Sequence, residues 1–138
     1  MKKLWGWNDA EGVFKKGENF FIQNSYPEAE RYLRRVVGLD PNNPSYNFSL
    51  GKYFCSQERF VEGELFLRRA LELEPNCAKN YNIVGWCLYS QGRLTEAEQF
   101  FRKAVELEPN NFLYRLWFYA PRFRPLISFG IAFAFFTS

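Results

Sequence analysis

The 138-residue sequence contains no histidine and only one methionine. Without imidazole, histidine-based acid–base catalysis and histidine metal ligation are excluded. Cysteine is scarce: Cys55, Cys77 and Cys87 show no Cys-x-x-Cys spacing, and their odd number gives no disulfide framework. Neither a Gly-x-Gly-x-x-Gly stretch nor a Walker-type loop occurs. We therefore expect no catalytic residues, no cofactor and no metal. The N-terminal run Met1–Trp7 is basic and aromatic, but too poor in apolar residues for a secretory signal. Asn47-Phe48-Ser49 matches a glycosylation sequon, yet it falls in a predicted mid-helix, and we read it as chance.

Charge of one sign is also missing from the body of the chain. Residues 1–42 carry seven basic and six acidic groups, and residues 43–110 carry eight and nine. Residues 111–138 hold three arginines and no acid, so the net charge of +3 belongs to the tail. A nucleic-acid footprint needs a basic face on the folded body, and none is expected. Leu126–Thr137 is almost wholly apolar. As a helix it reaches only ~18 Å, against ~30 Å of hydrocarbon, too short to span a bilayer alone.

What the chain has is aromatic residues, 20% of the total with 16 Phe, and a period. Arg69-Ala70-Leu71-Glu72-Leu73-Glu74-Pro75-Asn76 is answered 34 residues later by Lys103-Ala104-Val105-Glu106-Leu107-Glu108-Pro109-Asn110. Leu39-Asp40-Pro41-Asn42 closes a fainter third copy upstream. Self-similarity at such a period marks a stack of small units that bury a shared core. Units 10–43, 44–77 and 78–111 put small residues at place 8 (Gly17, Gly51, Gly85) and place 20 (Ala29, Gly63, Ala97). Apolar residues recur at place 11 (Phe20, Phe54, Leu88), place 24 (Leu33, Leu67, Phe101) and place 27 (Val36, Ala70, Ala104). Places 4, 7, 8 and 11 form one helical stripe, and places 20, 24 and 27 form a second. Each unit is thus two amphipathic helices, with Gly92 joining the pair in the third. Pro44 after Asn43 and Thr95 with Glu98 read as helix starts, the latter as a capping box.

These places resemble the tetratricopeptide repeat (TPR) family over roughly three quarters of the chain. Lys16 at place 7 and Asn47 at place 4 depart from its pattern. The resemblance implies an all-α, right-handed superhelical solenoid of antiparallel helix pairs, working as a non-catalytic protein-interaction scaffold. Residues 1–9 are then an N-terminal lid, with Trp5 and Trp7 as packing residues, and 112–138 a hydrophobic C-terminal segment.

A first helix facing plain solvent should be polar opposite its packing stripe. Here those places hold Phe14, Glu18 and Phe21, then Phe48 and Lys52, then Asn82, Trp86 and Tyr89. In TPR proteins the same places line the concave groove that receives a partner peptide or helix. The resemblance therefore makes these eight residues groove candidates. Their other reading is packing against neighbouring first helices or the chain's own tail. The family's carboxylate clamp needs Lys and Asn at set places, and only Lys52 and Asn82 come near it. The second helices carry Arg34-Arg35, Arg68-Arg69 and Arg102-Lys103, with Glu30, Glu64 and Glu98 four residues before the first member. Such pairs read as solvated i, i+4 contacts rather than a phosphate ladder.

Two roles fit the tail, which holds ten aromatics within residues 112–138. In one it meets anionic lipid through Arg115, Arg122, Arg124, Phe129 and Phe133 on the cytoplasmic side. In the other it is a capping helix docked on the third unit. The expected partner is another protein, with membrane contact and self-assembly through Phe-rich ends as alternatives. The expected compartment is the cytoplasm, which suits three unbridged cysteines.

Overall fold

The computed structural model describes residues 9–119. They form seven helices: α1 Ala10–Ile22, α2 Tyr26–Leu39, α3 Pro44–Ser56, α4 Phe60–Leu73, α5 Ala78–Ser90, α6 Leu94–Leu107 and α7 Phe112–Tyr119. No strand occurs among the described residues. α1, α3, α5 and α7 begin 34 residues apart, as do α2, α4 and α6. α1, α3 and α5 each pack most extensively on the helix that follows, and α2, α4 and α6 pack on the next odd helix. α1 touches α3, α3 touches α5 and α5 touches α7, so the first helices line one side of an all-α solenoid.

Local sequence sets the helix ends. Asp9, expected to belong to the lid, caps α1: its side chain accepts a hydrogen bond from the Glu11 amide. The remaining lid residues, 1–8, lie outside the described residues. Asn43 caps α3 by accepting from the Tyr46 amide at 3.2 Å, and Pro44 takes the first helical position. The capping box expected at Thr95 does not form. α6 starts at Leu94, with no side-chain cap, because the preceding turn already fixes its entry. There the Arg93 amide donates to the Leu88 carbonyl at 3.0 Å, and Thr95 is left inside the first turn.

That turn is the same in all three pairs. Asn24, Glu58 and Gly92 share a left-handed backbone, with φ of 60°, 60° and 78°. The next amide donates back to the Phe20, Phe54 or Leu88 carbonyl, which closes each first helix. Glycine and asparagine tolerate this conformation, whereas glutamate is strained by it. Glu58→Gly should therefore raise stability by about 0.5–1 kcal/mol in denaturant titration, the strain relieved less the extra entropy that glycine loses on folding. An unchanged or lower midpoint would show that Glu58 has compensating contacts.

Helix pairs close over the small residues. In the second unit a glycine stands on each side of the crossing. A Cβ on Gly51 would lie 2.7 Å from Leu67 and 3.0 Å from the Gly63 carbonyl. Phe54, Leu67, Phe101, Leu88 and Trp117 are among the largest fully buried side chains. Cys55 and Cys87 are buried in the core between the second and third units, as expected of small apolar thiols. The Cys87 thiol donates to the Phe60 carbonyl at 3.2 Å. The sequon is closed: Asn47 is buried, and its amide nitrogen donates to the Pro41 and Asn43 carbonyls at 2.9 Å.

The outer face carries a charge pattern that repeats from one unit to the next. Glu30 accepts from Arg34 of its own helix and from Arg59 of the next unit, both at 2.8 Å. Glu64 does the same with Arg68 and Arg93, again at 2.8 Å. Arg102 pairs with Glu98 at 3.2 Å. The i, i+4 contacts from Glu30, Glu64 and Glu98 thus form as expected; Glu72 and Glu106, which the spacing also places four residues after Arg68 and Arg102, pair instead with Arg69 and Lys103. Arg59 and Arg93 add inter-unit links that spacing within one helix does not reveal. Burial alone would raise the Glu30 and Glu64 pKa values, yet hydrogen bonds from Arg34 and Arg59, and from Arg68 and Gln91, hold both below the ordinary 4.5. A depressed carboxylate contributes stability above its unfolded value and loses it as pH falls through the folded value. Melting temperature should therefore drop as pH goes below 4.5. A Glu30→Gln/Glu64→Gln variant should start lower at neutral pH and show a shallower acid decline. Parallel curves would mean these carboxylates carry none of the acid sensitivity.

The tail begins with α7. Asn111 caps it by accepting from the Leu113 and Tyr114 amides. Tyr114 and Trp117 are buried, and Trp117 stacks on Phe101 with centroids 5.9 Å apart. Residues 112–119 thus pack on the third unit, while the rest of the tail, 120–138, lies outside the described residues. Arg115 is exposed on α7, while Arg122, Arg124, Phe129 and Phe133 lie outside the described residues. Among the described residues no helix is long and apolar enough to cross a membrane.

Candidate functional site

The first helices leave a groove of about 320 Å³ on their shared side. It brings together four of the eight candidates: Phe14 and Glu18 from α1, and Phe48 and Lys52 from α3. Ser45 and Lys79 stand at the same helical places and also line it. Phe14 is half-buried and tilts against Tyr46, with ring centroids 4.9 Å apart. Phe48 is mostly covered, at 9% exposure, and the Lys79 ammonium sits 4.6 Å from its ring centroid. The Lys52 ammonium lies 5.9 Å from the centre of the Phe21 ring. Burial pushes the Lys52 pKa down, Lys79 adds to that effect, and Glu18 works against it.

The other candidates fall elsewhere. Phe21 borders the groove through Lys52, while its edge packs on Tyr53 at 5.8 Å. Asn82 is a correction: it is 0% exposed and cannot line a surface groove. Neither of its amide atoms has a hydrogen-bond partner among the described residues. Trp86 packs edge-on against Phe60 at 5.6 Å, and Tyr89 against Trp117 at 6.2 Å. Both are half-buried; Phe60 belongs to α4, a second helix, whereas Trp117 belongs to α7. The groove also gains residues that helical spacing did not suggest. Glu74 and Cys77, from the turn after α4, and Asn80 form one wall. In the sequence that turn reads only as a proline stop.

In the basic pairs of the second helices, Arg34, Arg68, Arg69 and Arg102 are each engaged by a glutamate of the same helix, which speaks for solvated ion pairs rather than a phosphate ladder. No group of three or more metal-ligating side chains is clustered among the described residues.

The family model described as anaphase-promoting complex, cyclosome, subunit 3, which is of tetratricopeptide type, matches residues 22–104. The chain belongs to this tetratricopeptide repeat family. Solved TPR domains share its fold. The first TPR of Spaghetti (RPAP3), bound to HSP90 peptide SRMEEVD, is 24% identical with a TM-score of 0.79, over 86% of this chain and 94% of that one. The TPR domain of Arabidopsis OM64 is 24% identical with a TM-score of 0.76, over 86% and 96%. The first TPR domain of human RPAP3 is 27% identical with a TM-score of 0.73, over 79% and 86%. No curated protein matches the chain. TPR units act as protein-interaction scaffolds, and the aromatic residues lining this groove are Phe14, half-buried, and Phe48, buried.

Proposed function

We propose that the chain is a non-catalytic scaffold that receives a peptide or helix of a partner protein in the groove between α1, α3 and α5. The observation that carries this reading is the pairing of Phe14 and Phe48 with Lys52 and Lys79 along one open groove. Aromatic anchors with a few polar groups are the residue types that dominate interface energies. The Spaghetti domain bound to an HSP90 peptide supports a peptide as the kind of partner. The setting we infer is cytoplasmic, in keeping with three free cysteines.

Peptides selected from a random displayed library on the whole protein test this directly. Their affinity should fall by about 1–2 kcal/mol on Phe14→Ala or on Ser45→Arg, which fills the groove from an exposed position. It should be unmoved by Arg102→Ala on the outer face. Selected peptides that bind all three variants equally would remove the groove from the account.

A further inference from the structure

We propose that the groove selects an internal acidic segment, whose side-chain carboxylates meet Lys52 and Lys79 while an apolar neighbour lies on Phe14 and Phe48. The proposal rests on the groove reading above and adds the chemistry of the partner. Along the outer face Arg34, Arg59, Arg68 and Arg93 each reach a glutamate within 4.0 Å. Lys52 and Lys79 make no ion pair with any described residue. Each instead stands over an aromatic ring, Lys52 over Phe21 and Lys79 over Phe48. Both ammonium groups line the one groove, Lys52 half-buried and Lys79 exposed, and neither is closed off by a carboxylate at ion-pair distance, so each can still take a partner's acid. Glu18 and Glu74 also line the groove. Glu18 acts on Lys52 and so tempers an acid there, which leaves exposed Lys79 the more open of the two positions.

A chain-terminal carboxylate fits less well. Holding one anion end-on takes several converging donors, and the α5 asparagines that could supply them, Asn80 and Asn82, are 4% and 0% exposed. The two lysines come from different helices, which suits separate carboxylates along a segment.

Pools of octapeptides passed over the immobilised full chain, read by mass spectrometry, provide the test. One pool carries two acids and two of Leu, Phe or Trp at random positions, with amidated ends. A second pool replaces the acids by Asn and Gln, and a third leaves the terminal carboxylate free. The acidic amidated pool should be retained about tenfold better than its Asn/Gln counterpart. That advantage should shrink with salt, and fall below about twofold on Lys52→Gln/Lys79→Gln. Lys79→Gln alone, at an exposed position, should remove part of it without touching the fold. Equal retention of both amidated pools, an advantage that survives the double variant, or retention of the free-carboxylate pool alone would overturn the proposal. If both pools bind equally and Phe14→Ala, at a half-buried position, releases both, groove binding stands and only the acidic preference fails. Light scattering that shows self-association competing with the acidic pool would assign the groove to a second copy, and would equally overturn it.

Discussion

Replacing Trp117 by alanine should destabilise the protein by about 3–5 kcal/mol, the usual cost of emptying a large buried aromatic site. Trp117 is 2% exposed, stacks on Phe101 and meets the edge of Tyr89. Removing it uncovers the open side of the third pair as well as leaving a cavity. Phe112→Ala is the control: Phe112 is the first residue of the same helix but 72% exposed, so its loss should fall within about 0.5 kcal/mol. Urea midpoints of the two variants decide the matter. Equal small losses would mean that α7 does not belong to the core.

A leucine at Gly63 should cost about 1–3 kcal/mol or more by overpacking. The reason is the double glycine at the crossing of α3 and α4. A Cβ on Gly63 would lie 2.9 Å from the Gly51 carbonyl and 3.2 Å from the Cys55 amide, and would collide with the Cys55 sulfur. Backbone atoms cannot step aside as a flexible side chain can, so the two helices must separate. Ala97, at the matching place in the third unit, already carries a Cβ and is fully buried, so this pair tolerates one methyl that the second pair does not. Arg102→Ala, on the solvated face, should stay within about 0.5 kcal/mol. Comparable losses at Gly63 and Arg102 would mean the small-residue places do not set helix spacing.

The fold was legible because it repeats. Small residues at places 8 and 20 and the prolines closing each unit recur at one period, so three weak local signals reinforce one another. The helix joints were only partly legible. Gly92 marked the joint of the third pair, but Asn24 and Glu58 take the same left-handed backbone in the other two without a glycine to mark it. The inter-unit arginines were hidden because Arg59 and Arg93 find Glu30 and Glu64 across units, at separations that a single helix does not display.

The site was less legible than the fold. Helical spacing gives the side of a helix on which a residue stands, and Phe14, Glu18, Phe48 and Lys52 do meet along one groove. Spacing cannot say what lies above that side. Tyr89 stands on the expected side, but Trp117 of α7 packs against it, and Asn82 is buried although its place holds phenylalanine in the first two units. Glu74 and Cys77 reach the groove from a turn, where no periodicity operates.

Amide chemical-shift mapping with a library-selected peptide tests the central claim most directly. Saturating peptide should move the signals of Phe14, Glu18, Phe48, Lys52 and Lys79, and leave the outward residues of α2, α4 and α6 in place. Shifts centred instead on Val61 and Leu65, the exposed apolar pair of α4 at 72% and 69% exposure, would contradict the groove as the binding surface.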